Sequence, residues 1–196
     1  MPTRPDPRSR YEVTDVAVLK LLAHPLRSRM LGLLRLEGDA TASELGRRLG
    51  ESSGATSYHL RQLAHAGLIE EAPEQPSRRE RVWRASHALT SFDAGRFAGS
   101  EGRAVLEEFA RMQLRRLDAE ATRWLQRRGD VSPEWTSAGG ISDYMARLTP
   151  AATVELTERV SELLHELEER HGDAPDAGWV SIHWLTLPLP DEEVVR

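Results

Sequence analysis

The stretch that decides the fold covers residues 41–67, TASELGRRLGESSGATSYHLRQLAHAG. Thr41 and Glu44 have the spacing of a capping box, in which each side chain bonds the backbone amide of the other residue. This pattern predicts a helix over residues 42–49. A second helix follows, capped by Ser52 or Ser53 and ended by Gly67. Residues 41–67 therefore predict two short helices joined by a tight turn.

The two faces of the second predicted helix differ in composition. Helical spacing places Thr56, Leu60, Leu63 and Ala64 on the inward side. The outward side combines small and polar residues, namely Gly54, Ala55, Ser57, Tyr58, Arg61 and Gln62. Small side chains permit close approach to a groove, while Arg can bridge guanine acceptors and Gln can pair with adenine. This composition favours a helix that reads the major groove of DNA over a surface helix with a good serine cap.

Two further helices are predicted before this pair. Thr14 or Asp15 can cap the first, which runs to about residue 23, and Pro25 suits the first position of the second, over residues 25–36. Residues 1–13 contain three prolines and three arginines within the first ten positions and predict a disordered tail.

A hairpin is predicted after the helical pair. Residues 68–72 and 81–86 have the composition of short strands, and PEQPSRRE lies between them. Arg78, Arg79 and Arg81 fall near the tip. Next to a candidate recognition helix, they are interpreted as a wing that contacts phosphates; the alternative is a solvated arginine loop.

Composition and charge limit the possible classes. The chain has no cysteine, which excludes disulfides and thiolate metal sites. Its net charge is −5, but residues 1–100 hold 15 basic and 12 acidic residues, and residues 101–196 hold 11 and 19. The half with the helical pair is thus positive at +3, and the other half is negative at −8. The sequence contains no signal peptide or membrane span, so we expect a cytoplasmic protein without a membrane partner.

The second half predicts a long helix followed by a small α+β module. A helix over residues 101–128 would span about 42 Å. It would bury its apolar stripe on a dimer partner or within the same chain. Residues 129–196 predict strands near 131–137 and 179–187 around a helix over 150–170. Five aromatic residues would form either the core of this module or a pocket for a small effector: Trp124, Trp135, Tyr144, Trp179 and Trp184.

Three segments carry a family resemblance. LAHPLRSRMLGLLRLEG, TASELGRRLG and SSGATSYHLRQLAHAGLIEE resemble the ArsR-type winged helix-turn-helix repressors, over residues 14–86. The resemblance implies a homodimer that binds a palindromic operator on double-stranded DNA in the bacterial cytoplasm, usually to repress transcription. Because the chain lacks cysteine, it is similar to metal-independent members with an extended C-terminal region. The expected DNA contacts are Thr41, Ser52, Ser53, Gly54, Ala55, Ser57, Tyr58, His59, Arg61, Gln62, Arg78, Arg79 and Arg81.

Motifs for other chemistry are missing from the sequence. It has no Gly-rich phosphate loop, GxSxG or HExxH motif. We therefore expect that the protein is not an enzyme and that it has no cofactor or metal site. His165 and Glu169 are one helical turn apart, a spacing that is common by chance on acidic helices. The predicted fold class is mainly α with small β. A winged helix-turn-helix domain over residues 14–90 binds DNA, or alternatively serves as a protein-interaction adaptor.

Overall fold

The computed structural model describes residues 5–6, 9–75 and 80–190, and the chain divides into two units, Met1–Ala119 and Glu120–Arg196. The boundary falls inside a single long helix, α5 (Ser100–Arg127). Besides a short 3-10 helix over Ala94–Phe97, the described residues before α5 contain four α-helices and five strands. In chain order these are β1 (Arg10–Val13), α1 (Val16–Leu22), α2 (Pro25–Glu37), β2 (Ala40–Thr41), α3 (Ala42–Leu49), α4 (Ser53–His65), β3 (Ile69–Glu71), β4 (Val82–Ala85) and β5 (Leu89–Phe92).

The predicted helix boundaries of the first unit follow from local signals. The Asp15 carboxylate accepts a hydrogen bond from the Ala17 amide and caps α1. Pro25 occupies the first position of α2, where a backbone amide would make no intrahelical hydrogen bond, so proline costs nothing by lacking one. Gly38 ends α2 with a φ of 86°, a conformation that favours glycine.

The small sheet forms the wing. Strands β2, β4 and β3 make an antiparallel three-stranded sheet in that spatial order, so β3 and β4 are a hairpin and β2 adds to its outer edge. The helices and this sheet enclose one core, whose fully buried side chains include Leu19, Met30, Leu34, Leu45, Leu60, Leu63 and Leu68. The predicted fold, mainly helical with a small sheet and a winged helix-turn-helix, is confirmed.

Part of the predicted disordered tail is a strand. β1 pairs in parallel with β5, Val13 is fully buried, and the Tyr11 hydroxyl donates to the Ala66 carbonyl at 2.9 Å. The disorder prediction was wrong for residues 10–13, because their partner strand lies about eighty residues later and gives no local signal. Residues 1–4 and 7–8 lie outside the described residues.

The second unit differs from the predicted α+β module. It contains the end of α5, then α6 (Pro133–Ala138) and α7 (Pro150–His171), and its described residues 120–190 contain no strand. The strand predicted at 131–137 is helical instead, since Ser132 caps α6 by accepting from the Trp135 amide and Pro133 starts it. Residues 179–187 also form no strand, because no described segment of the unit pairs with them.

Candidate nucleic-acid interface

The turn between α3 and α4 is fixed by three local features. Thr41 and Glu44 form the predicted capping box: the Thr41 hydroxyl accepts from the Glu44 amide at 3.2 Å, and the Glu44 carboxylate accepts from the Thr41 amide at 2.7 Å. Gly50 ends α3 in the left-handed conformation, with a φ of 73°. Ser52 then caps α4 by accepting from the Ala55 amide. These features set the direction in which α4 leaves the turn.

A buried threonine ties α4 to α3. Thr56 is fully buried, and its hydroxyl donates to the Ala42 carbonyl at the start of α3, at 2.8 Å. Leu60 and Leu63 follow on the same face and are also fully buried. Three of the four inward positions predicted from helical spacing therefore lie in the core, and the fourth, Ala64, is partly buried against it. The opposite side of α4 is held toward solvent.

The outward side of α4 contains most of the predicted DNA contacts. Ser52, Ser53, Gly54, Tyr58 and Arg61 are exposed at the surface. Ala55, Ser57, His59 and Gln62 are half-buried at its edges. The side chain of Tyr58 is 52% exposed, which is high for an aromatic residue on a packed helix.

Thr41 has the capping role that the sequence predicts, and its expected contact with DNA stays a prediction. Its hydroxyl accepts from the Glu44 amide and lies 3.0 Å from the Glu44 carboxylate, to which it donates. The hydroxyl proton is thus used within the capping box, and the side chain is half-buried. Thr41 positions α3, and through it the turn that leads to α4.

A basic and aromatic cluster lies at one edge of α4. The rings of His24 and His59 pack with centroids 4.7 Å apart, and the Tyr58 ring contacts that of His59 at 5.3 Å. The Arg27 guanidinium donates to the backbone carbonyls of Leu21 and Lys20, at 2.7 and 3.2 Å. Burial lowers the pKa of both histidines, and the charge of Arg27 lowers each further.

The wing is closed by a residue that the sequence analysis did not identify. The Gln75 amide donates to the carbonyls of Ala72 and Val82 and accepts from the Val82 amide, which joins the two sides of the hairpin loop. A side-chain amide can make all of these hydrogen bonds because it has both donors and an acceptor. The sequence does not indicate this role, because it depends on how the two strands pair.

The wing arginines have unequal surroundings. Arg81 forms an ion pair with Glu71 across the hairpin, at 2.6 Å, and remains largely exposed. Arg84 is mostly buried, pairs with Asp39 at 2.9 Å and so ties β4 to the segment after α2. Arg78 and Arg79, the other two predicted wing contacts, lie outside the described residues.

The aromatic residues of the second unit do not form an enclosed core or pocket. No residue between 120 and 190 is buried. Four of the five predicted aromatics are exposed: Trp135 by 41%, Tyr144 by 90%, Trp179 by 65% and Trp184 by 50%. Trp124 is half-buried, lies beside Gly139 and has the Arg128 guanidinium over its ring. Within a single copy of the chain, the expectation of an aromatic core in this unit was wrong.

Two polar clusters among the described residues of the second unit contain a histidine. His183 Nε2 lies 2.8 Å from a Glu120 carboxylate oxygen and 3.1 Å from the Ser181 hydroxyl. A nucleophile–base–acid arrangement needs the acid and the hydroxyl on different ring nitrogens, whereas both share Nε2 here. His165 and Glu169 form the predicted neighbouring pair at 3.1 Å. Among the described residues, no three His, Asp or Glu side chains cluster as metal ligands.

Comparison with known proteins identifies the domain that holds this surface. Residues 22–72 match the family model of a helix-turn-helix domain. No curated protein matches the chain. Within the described residues, no helix has the length and apolar character needed to cross a membrane.

Solved structures give low-scoring similarities. YusO from Bacillus subtilis is 16% identical, with 76% of this chain and 79% of that chain covered and a TM-score of 0.33. Lactococcus lactis ZitR in complex with DNA is 15% identical, with 73% and 74% covered and a TM-score of 0.31. A mutant MarR from E. coli is 18% identical, with 77% and 88% covered and a TM-score of 0.31. The family match and the observed helices agree that residues 22–72 form a helix-turn-helix domain.

Proposed function

We propose that this protein is a sequence-specific, DNA-binding transcriptional regulator that acts as a homodimeric repressor of the ArsR type. The observation that carries the proposal is the exposed face of α4, where Ser53, Gly54, Tyr58 and Arg61 point to solvent. The opposite face is fixed in the core by fully buried side chains. A rigid helix with a small, polar outer face fits the floor of a major groove.

The ArsR assignment rests on the sequence motifs of residues 22–71, since the matched helix-turn-helix model is broader than that family. The absence of cysteine directs the proposal to a regulator without thiolate metal sensing. A cytoplasmic location belongs to the same proposal, because the operator is chromosomal DNA.

A homodimer accounts for the apolar side chains that α5 leaves exposed. Val105 and Met112 are buried on one side of this helix, whereas Leu114 and Leu125, which helical spacing places on nearly the opposite side, remain 49% and 55% exposed. A second copy of α5 is the simplest cover for this exposed apolar side of the 28-residue helix. Two α4 helices would then enter successive major grooves about 10 base pairs apart on a palindromic operator.

Control by a small non-metal effector is a separate part of the proposal. Its support is the set of exposed tryptophans of the second unit, Trp135, Trp179 and Trp184, which a ligand or a second copy would have to cover. Effector binding predicts a rise in Tm with a compound library, and a screen that finds no stabilising compound would remove this part alone.

The decisive experiment measures binding to two fluorescent duplexes of equal length, one spanning the region upstream of the protein's own gene and one of random sequence. Binding that weakens with added salt supports DNA contact through phosphates. Arg61→Ala should reduce the preference for the upstream duplex about 5- to 150-fold, corresponding to the ~1–3 kcal/mol of one direct base contact. Arg111→Ala removes an equal charge from α5, where Arg111 pairs with Glu107, and serves as the control.

Three outcomes separate the possible functions. Loss of preference in Arg61→Ala only, with Arg111→Ala unchanged, supports sequence recognition by α4. Equal behaviour of both variants contradicts direct base contact by Arg61. Absence of salt-sensitive binding to either duplex contradicts the regulator and favours the alternative, a winged-helix adaptor that binds other proteins.

A further inference from the structure

Two histidines connect the start of α2 to the centre of α4. His24 is the residue before Pro25 at the N-terminus of α2, and its side chain makes no capping hydrogen bond. His59 lies in the middle of α4, and the two rings are tilted by 43° with centroids 4.7 Å apart. The pair therefore belongs to the packing contact that holds α4 against the preceding helices.

One ring nitrogen of each histidine is buried without a hydrogen-bond partner among the described residues. The Nδ1 atoms of His24 and His59 are both buried, and within the described residues neither has a hydrogen-bond partner. Buried polar atoms in proteins are paired in the great majority of cases. No side-chain acceptor therefore fixes the protonation of either Nδ1 atom, although the backbone of His24 itself raises the pKa of that ring.

The charged groups around the pair favour its neutral form in the free protein. Burial is the largest cause that lowers the pKa of His24 and of His59, and Arg27 on α2 adds to it for both. His24 itself lowers the pKa of His59, while Glu51 in the turn before α4 opposes these effects. Tyr58 lies against His59 and interacts with Arg27. Burial and the charge of Arg27 thus disfavour the protonated form of both rings in the free protein.

Bound DNA would change this balance. His59 is half-buried and follows Ser52 and Ala55 along the stripe that also includes Gln62, at the edge of the proposed recognition face. A duplex on that face would bring phosphate charges close to His59 and Arg27 that are not present in the free protein. A nearby negative charge stabilises the protonated form of an imidazole.

We propose that the His24–His59 pair couples DNA binding on α4 to the uptake of a proton by each protomer. The inference rests on the proposed function, because it requires DNA on α4. His24 is not among the expected DNA contacts, and its role is to position the His59 ring against which it packs. Since the bound state then holds more protons than the free state, affinity for DNA rises as pH falls.

The test measures the affinity of the full chain for the upstream and random duplexes between pH 8 and pH 5.5, at constant ionic strength. If DNA raises the pKa of one histidine by about one unit, affinity rises as pH falls and approaches a limit of about tenfold per protomer at a pH below both the free and the bound pKa. His59→Gln should remove most of this dependence, and His24→Gln should reduce it. His65→Gln is the matched control, since His65 is exposed in the last turn of the same helix.

The outcomes decide the proposal as follows. A pH dependence that is lost in His59→Gln and kept in His65→Gln supports it. A dependence that survives in both His24→Gln and His59→Gln, or an affinity that falls with falling pH, overturns it. Histidine chemical shifts of the wild-type protein, titrated with and without the duplex, test it without any substitution. An unchanged pKa of His59 on binding overturns it even if the variants fail to fold.

Failure of this inference is distinct from failure of the proposed function. Salt-sensitive binding at pH 7.5 tests whether the protein binds DNA at all. Binding at pH 7.5 that does not change with pH leaves the regulator intact and removes only the coupling to protons.

Discussion

Gly46 lies where α3 passes closest to the turn that joins it to α4. A methyl group at this position would lie 2.8 Å from the backbone oxygen of Glu51 and 3.6 Å from the Thr56 hydroxyl. The Glu51 oxygen belongs to the backbone, so the contact can be relieved only by moving the turn. A methyl group at Gly32 in α2 would meet no atom within 4 Å. The substitutions Gly46→Ala and Gly32→Ala therefore form a matched pair.

The difference between the two variants measures how much the contact between a methyl group at position 46 and the Glu51 backbone oxygen destabilises the fold. Both substitutions remove a helical glycine, which by itself stabilises a protein by about 0.5–1 kcal/mol. Overpacking costs about 1–3 kcal/mol, and only Gly46→Ala incurs it. We expect Gly46→Ala to be about 1–3 kcal/mol less stable than Gly32→Ala. Urea unfolding followed by circular dichroism measures the difference, and equal stability of the two variants would refute the close packing of α3 on the turn.

Three further predictions concern contacts of the first unit. Thr56→Val should lower the free energy of unfolding by about 1–3 kcal/mol, because the Ala42 carbonyl loses its donor, and Thr56→Ser should recover most of it in urea unfolding. The hydrogen bond from the Thr41 amide is the main cause that lowers the pKa of Glu44 below its ordinary value of 4.5. Its stabilising contribution is therefore fully present above pH 4.5 and is lost as pH falls through the lower pKa of the folded state. Thermal unfolding across this pH range should show a smaller loss in Glu44→Gln than in the wild type. Tyr11→Phe should cost about 1 kcal/mol through loss of the bond to Ala66, and unchanged stability would contradict that role for the hydroxyl.

The helices of the first unit were predictable because their ends carry local signals. Asp15, Pro25, Thr41 and Ser52 each begin a helix through contacts within a few residues, which sequence spacing reveals directly. The inward and outward sides of α4 also follow from helical spacing alone, and burial agrees at Thr56, Leu60 and Leu63. The candidate interface could be located in this way before any tertiary contact was known.

Contacts between distant segments could not be predicted from the sequence. Strand β1 depends on β5, and Arg35 of α2 donates to the His87 carbonyl and the Thr90 hydroxyl from 52 and 55 residues away. Burial lowers the pKa of Arg35 to about 10, so this guanidinium remains charged in the interior at neutral pH. The His24–His59 pair is hidden for the same reason: the two residues lie on different helices, and only the packing of α4 brings their rings together.

In the second unit, the amphipathic pattern correctly predicts a helix but not a strand. The periodicity of α7 correctly identifies a helix, begun by Thr149 and Pro150, because helix formation needs only hydrogen bonds within the segment. The alternation at residues 179–187 does not produce a strand, because a strand needs hydrogen bonds to another segment. On α7, Leu163 and Leu167 remain 51% and 40% exposed. Periodicity therefore specifies which side of an element is apolar, but the partner that covers that side must come from elsewhere, and a second copy of the chain is the partner that the proposed dimer supplies.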